Sequence, residues 1–190
     1  HDSGLYIDSV LQAGHHRYNL MGSASDASKG KGHSLLASIE VGKPFALGQQ
    51  GSWVLEPQFQ LIHQRLSLKS QRLDEGTQVR QDVSQGWLAR LGAQVRGDVT
   101  VGSSAVRPYV RANLYHASNG TDIASFHTAA GSSAVRASTG GSSVELATGA
   151  AVALSRNFSL YGEVGTLWAM GGGERVKASA QGTIGGRLLW

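Results

Sequence analysis

Seven histidines are the side chains of this sequence best suited to chemistry, because an imidazole can ligate a metal or move a proton near neutral pH. Their spacing favours neither role. His15 and His16 are adjacent, and neighbours on a strand point to opposite faces, which disfavours a shared metal. His33, His63, His116 and His127 read as strand-end or loop positions, with no ligand spacing such as His-Glu-x-x-His. Hydrolysis would need a nucleophile held against a base. Ser118, Asp122 and His127 share one segment, yet serine is abundant throughout the chain and no motif encloses them. Gly171-Gly172-Gly173 reads as a turn rather than a phosphate cradle, because no helix follows it. Glu145 and Arg175 read as a structural ion pair rather than a catalytic couple. The absence of cysteine removes thiol chemistry, disulfides and cysteine-bound metals, and it suits export to an oxidising compartment. The expectation is therefore no enzyme, no metal and no cofactor.

The elements carrying these residues declare themselves by period-two alternation, which signals strands with one apolar face. It recurs eight times. Residues 4–14 set Leu5, Ile7, Leu11 and Ala13 against Tyr6, Asp8 and Gln12. Residues 32–42 set Leu35, Ala37, Ile39 and Val41 against Ser34, Ser38 and Glu40. From Trp53 onward, Leu55, Pro57, Phe59 and Leu61 oppose Glu56, Gln58 and Gln60. From Gly86, Trp87, Ala89, Leu91, Ala93 and Val95 oppose Arg90, Gln94 and Arg96. Then Val106, Pro108, Val110, Ala112 and Leu114 alternate with Arg107, Tyr109, Arg111, Asn113 and Tyr115. Val144, Leu146, Ala150, Val152 and Leu154 surround Glu145, and Phe158, Leu160 and Val164 alternate with Ser159, Tyr161 and Glu163. The last stretch sets Val176, Ala178, Ala180, Ile184, Leu188 and Trp190 against Arg175, Lys177, Gln181, Thr183 and Arg187.

Where that apolar face points is decided by composition and connections. Charged residues make up only 16% of the 190 residues, against about 25% in a soluble globular chain. Mean hydropathy is −0.16, and no apolar run reaches the ~18 residues of a membrane-spanning helix. A membrane strand, by contrast, shows lipid only its alternate residues. The polar face is rich in Arg, Gln, Glu, Tyr, Ser and Gly and poor in Lys, unlike a soluble surface. Trp53, Trp87, Phe158, Trp168 and Trp190 gather at strand ends, the level where aromatic rings meet lipid headgroups. Connections near 15–31, 67–85 and 117–141 are long, whereas those near 43–52, 97–105 and 155–157 are short. That alternation is expected of a membrane barrel with two unlike sides. The net charge is +4, but Lys and Arg are scattered, so no nucleic-acid surface is expected. The reading is an all-β, transmembrane antiparallel β-barrel with about eight strands in this chain, its apolar face touching outer-membrane lipid.

Several segments resemble the translocator domain of autotransporters (type V secretion). Gly4-Leu5-Tyr6-Ile7-Asp8-Ser9-Val10-Leu11-Gln12 resembles that family's aromatic-Val-Asp-x-x-x-Gln strand. Gly42-Lys43-Pro44-Phe45 followed by Trp53-Val54-Leu55-Glu56-Pro57-Gln58 resembles its Gly-x-Pro-Phe turn and Leu-Glu-Pro-Gln strand. Arg107-Pro108-Tyr109-Val110 and Leu160-Tyr161-Gly162-Glu163 resemble later strands. At the C-terminal end, Thr183, Gly185, Leu188 and Trp190 are similar to the β-signal read by the barrel-assembly machinery.

The resemblance implies that residues 1–190 are the C-terminal two-thirds of a twelve-stranded translocator, integral to a bacterial outer membrane. It implies partners too: the assembly machinery and an N-terminal passenger secreted to the cell surface. The lumen would be lined by Tyr6, Asp8, Glu40, Glu56, Gln58, Gln60, Arg90, Gln94, Arg107, Tyr109, Arg111, Glu145, Glu163 and Arg175, a surface on which a hydrated polypeptide finds no greasy trap. The competing expectation is a complete eight-stranded structural or adhesive barrel with ligand-binding loops.

Overall fold

Alternating side chains need an extended backbone, and each of the eight alternating stretches falls on a strand, within the described residues, in the computed structural model, which describes residues 4–21, 27–48, 52–72, 78–82, 85–128, 131–172 and 179–189. The strands are β1 (Tyr6–Met21), β2 (Ala27–Gly42), β3 (Trp53–Leu68), β4 (Gly86–Gly97), β5 (Ser104–Thr128), β6 (Gly131–Ala153), β7 (Phe158–Gly172) and β8 (Ser179–Leu188). Each pairs antiparallel with its sequence neighbour, so the sheet runs β1 to β8 in order. Short pieces at Phe45–Leu47, Gln71–Arg72, Gln78–Asp82 and Val99–Val101 add to its margins. Among the described residues there is no helix. β1 and β8 do not pair with each other, which leaves the sheet open at both edges. The closed eight-stranded barrel finds no support here.

The pairing register shows the tilt that a barrel wall requires. One row of opposed residues passes through Ile7, Val41, Phe59, Leu91, Leu114, Val144 and Trp168. It enters near the start of β1 and leaves near the end of β7. The sheet also curls. Tyr6 on β1 reaches Glu56 on β3 at 3.0 Å, and Arg111 on β5 reaches Glu163 on β7 at 2.9 Å. In both cases one strand is skipped. Adjacent strands lie about 4.8 Å apart, so such contacts form on the face toward which the sheet bends.

Burial is inverted relative to a soluble domain. Among the described residues the buried polar ones are Asn113 and Glu145, 3% and 5% exposed, while Leu11, Leu91, Val110 and Ile184 are 77%, 59%, 56% and 85% exposed. Soluble proteins rarely show water a contiguous apolar face this large.

Several strands are longer than alternation predicts, and the expected connections at 15–31 and 117–141 need correction, whereas 67–85 does separate Leu68 from Gly86. β1 continues to Met21 and β2 begins at Ala27. β5 and β6 form a hairpin of 25 and 23 residues tipped at Thr128 and Gly131. At ~3.3 Å per residue that hairpin is about 80 Å long, well beyond the 9–11 residues that cross a bilayer. Beyond lipid, both faces meet water, so pairing persists without an apolar stripe. A register shift between Thr139 and Gly141 marks its passage, with Gly140 at φ 96° and Gly141 at φ 146°, angles that other residues rarely adopt. The same correction applies to His33, His63 and His116, which lie within strands, whereas His127 is next to the last residue of β5, at a strand end as expected.

Candidate functional site

The concave face collects most of the polar side chains that parity assigns to one side, in two clusters. The first centres on Glu40 of β2 and Glu56 of β3. The Tyr6 hydroxyl lies 3.0 Å from Glu40 Oε1 and 3.0 Å from Glu56 Oε1. Gln58 Nε2 donates to Glu56 Oε1 at 2.8 Å and to the Tyr6 hydroxyl at 3.1 Å. Arg90 Nη2 donates to Glu40 Oε2 at 2.8 Å, and Arg96 Nη2 stands 3.3 Å from Glu56 Oε2. Beside this cluster Gln60 Nε2 donates to Ser38 Oγ at 3.0 Å.

The second cluster centres on Glu145 of β6. Its carboxylate accepts from Asn113 Nδ2 at 2.8 Å, Tyr115 Oη at 2.7 Å, Gln181 Nε2 at 3.1 Å and Arg111 Nη2 at 3.5 Å. Arg111 also donates to Glu163 Oε1 at 2.9 Å, and the Tyr109 hydroxyl donates to Glu163 Oε2 at 2.5 Å. Charge-assisted hydrogen bonds of this kind are the strong ones. They also offset the cost of burying a carboxylate, since isolated burial of a charge is costly.

Small residues make the long reaches possible. Tyr109 is opposed by Gly149 on β6, which is opposed by Glu163 on β7. A Cβ at position 149 would come within 2.6 Å of the Tyr109 hydroxyl and 2.5 Å of the Gly162 carbonyl. Tyr6 lies over Gly42 and Tyr161 over Gly185 in the same way. Side chains converge on a concave face, and a glycine opposite each of these three tyrosines removes the collision.

The structure thus joins Tyr6, Glu40, Glu56, Gln58 and Arg90 in one network and Tyr109, Arg111, Glu145 and Glu163 in another. Gln94 lies between them, opposed by Glu56 and Arg111. Asp8 is exposed on the open-edge strand β1, opposite Glu40. Arg107 sits toward the short-turn end, paired with Asp98 at 2.7 Å, both largely exposed. The ion pairs run along one wall, between strands near each other in the sheet. Arg175 and Trp190 lie outside the described residues, so the expected Glu145–Arg175 pair does too. Of the C-terminal residues, Thr183 and Gly185 share the concave face with Gln181, while Leu188 is convex and 62% exposed. The sequence reading missed Asn113, Tyr115 and Gln181 as partners of Glu145. The first two share parity with Arg111, a signal that was present. Among the described residues no group of three or more His, Asp or Glu side chains is placed to hold a metal.

Comparison with known proteins adds a lineage to this geometry. The family model of the autotransporter beta-domain matches residues 1–165. The pertactin autotransporter of Bordetella bronchiseptica is 33% identical over 165 residues, which is 84% of this chain and 17% of that protein. The BrkA autotransporter of Bordetella pertussis is 32% identical over 115 residues, 58% of this chain and 11% of that protein. The chain therefore spans a small fraction of the curated relatives it matches. Among solved structures, the beta domain of the Bordetella autotransporter BrkA superposes with a TM-score of 0.66 at 25% identity, over 100% of this chain and 68% of that one. The transport unit of AIDA-I from Escherichia coli has a similar fold, with a TM-score of 0.68 at 18% identity, over 98% and 59% of the two chains.

Proposed function

The chain belongs to the autotransporter beta-domain family, and from that premise we propose that it forms part of the wall of an outer-membrane barrel that passes an N-terminal passenger to the cell surface. The observation that carries the reading is the inversion of the two faces. Glu145 and Asn113 are buried in a concave network while Leu91, Val110 and Ile184 stand exposed on the convex side. Such a wall is stable only with hydrocarbon outside and water within.

The two open edges bear on pore size. In hydrocarbon every backbone N–H and C=O needs a partner, so a sheet in lipid must close. An eight-stranded barrel is about filled by its own side chains, leaving no room for a polypeptide. Further strands bonded to β1 and β8 would widen the lumen, in keeping with the 68% of the BrkA beta domain that this chain covers. In this reading the domain extends over residues 1–190. The concave residues from Tyr6 to Glu163 face the passenger, and Thr183, Gly185, Leu188 and Trp190 present β8 to the assembly machinery through main-chain pairing at its free edge.

The test is exposure of the passenger of the full-length protein on intact cells. Protease added outside should remove the passenger from wild-type cells. Leu91→Asp combined with Val110→Asp should abolish both membrane insertion and that cleavage. Normal cleavage in this double variant would overturn the proposal.

A further inference from the structure

The convex face is apolar along most of its length but changes character abruptly at one corner. On β1 the outward positions run Ile7, Ser9, Leu11 and Ala13, then His15 and Arg17. On β2 they run Val41, Ile39, Ala37 and Leu35, then His33 and Lys31. On β3 they run Phe59 and Leu61, then His63, Arg65 and Ser67, and Lys69 follows. The register locks these groups together. His33 stands between His15 on one side and Ser67 on the other, with Nδ1 of His15 and His33 3.3 Å apart. One row outward, Arg17 opposes Lys31, and the Lys69 amide donates to the Lys31 carbonyl at 3.0 Å. One row inward, Arg65 opposes Leu35 at the edge of the apolar belt, where His63 stacks on Trp87 at 4.4 Å.

Four cations therefore crowd a shallow ledge, and all four are exposed. Like charges directly opposite on neighbouring strands destabilise a sheet. Arg90, Arg96, Arg107 and Arg111 form ion pairs with carboxylates, and none of these pairs involves this ledge. The placement is also one-sided. At the short-turn end the same three strands present Ile7, Val41, Trp53 and Leu55 outward. At the loop end of β5 to β7 the outward positions are His116, Ser142 and Met170. Lys43 follows at the short-turn end, against four cations at this ledge, a bias that a general need for polarity at the membrane boundary would not produce.

Two ligand chemistries could occupy a pair of imidazoles ringed by cations. The 3.3 Å separation of the Nδ1 atoms suits two ligands of one tetrahedral zinc. However, Arg17 and Lys31 lie one outward step away and would repel a divalent cation, and two nitrogens fill only half of its shell. An anion reverses both objections. It gains from every positive charge, and Ser67 and the imidazoles offer hydrogen-bond donors. The ledge sits where the apolar belt ends, at headgroup level.

We propose that this ledge, formed by Arg17, Lys31, Arg65 and Lys69 around His33 and Ser67, docks the phosphate-bearing headgroup of a lipid whose acyl chains lie against Leu35, Ala13 and Leu61. The proposal rests on the convex face being the lipid-facing one. Each juxtamembrane Lys or Arg attracts anionic lipid, so removal of all four should weaken binding by at least about tenfold.

The test is native mass spectrometry of the full-length protein in detergent, titrated with phosphatidic acid and with phosphatidylcholine of the same acyl chains. Wild type should hold phosphatidic acid at least about tenfold more tightly. The combined Arg17→Gln, Lys31→Gln, Arg65→Gln and Lys69→Gln variant should lose that preference, while Lys43→Gln at the short-turn end should keep it. All five positions are on the surface, and a heat-modifiable band on gel electrophoresis reports that the barrel is folded. A detergent-dependent, folded protein that binds both lipids alike, or a quadruple variant that keeps the preference, would overturn the ledge alone. A chain that is soluble and monodisperse without detergent would overturn the membrane orientation beneath it. Displacement of the lipid by inorganic phosphate at equal concentration would also contradict docking of a headgroup.

Discussion

The two faces of this sheet share one backbone and obey opposite rules. On the concave face, side chains are polar, crowded and mutually bonded, with a glycine opposite Tyr6, Tyr109 and Tyr161. On the convex face they are apolar, unbonded and exposed, until the cations at one corner. A soluble β-protein turns its oily face inward because water surrounds it. Here the solvents have exchanged places, so the polar face becomes the interior. The comparison teaches that specificity and solvation are separated. Glu145, with its four side-chain donors, fixes local geometry, whereas Leu91 and Val110 only need a medium of the right polarity.

The largest effect expected from breaking this contrast is at Leu91→Arg. A cation at a lipid-facing mid-strand position costs about 2–4 kcal/mol, measured by denaturant unfolding of the vesicle-inserted protein. Gln94→Glu, three residues along on the other face between Glu56 and Arg111, should change stability by less than about 1 kcal/mol. Equal costs on both faces would erase the distinction. Next comes Glu145→Ala, which strips the acceptor from Arg111, Asn113, Tyr115 and Gln181 and should cost about 2–3 kcal/mol in the same assay. Gly149→Ala follows at about 1–3 kcal/mol, because its methyl meets both Tyr109 and the Gly162 carbonyl. The smallest effect is at Asp8→Asn, within about 0.5 kcal/mol, since Asp8 is exposed and no ion pair engages it among the described residues.

The sequence made the strands and their faces legible because lipid imposes a strict alternation, as along Trp87 to Val95 and Val106 to Leu114. It also exposed the short connections, where Pro44 and the Ser155-Arg156-Asn157 turn interrupt pairing. Strand extent was hidden wherever both faces are wet. In the β5–β6 hairpin, backbone pairing continues through Ser, Thr and Gly residues with no apolar stripe to betray it. Register was hidden as well, because nothing in the order of residues says that His15 meets His33 or that Lys31 meets Lys69. Glu145 shows the limit well: its parity was readable, but the convergence of Asn113, Tyr115 and Gln181 on it depends on curvature across the four strands β5 to β8.

The inversion of the faces is tested most directly by accessibility in the membrane-inserted protein. The chain contains no cysteine, so Leu91→Cys and Gln94→Cys each introduce a unique probe on strand β4. With the full-length protein in native membranes, a water-soluble maleimide should label position 94 and leave position 91 unmodified, while a lipid-soluble one labels 91. Rapid labelling of position 91 by the water-soluble reagent, with 94 protected, would contradict the account.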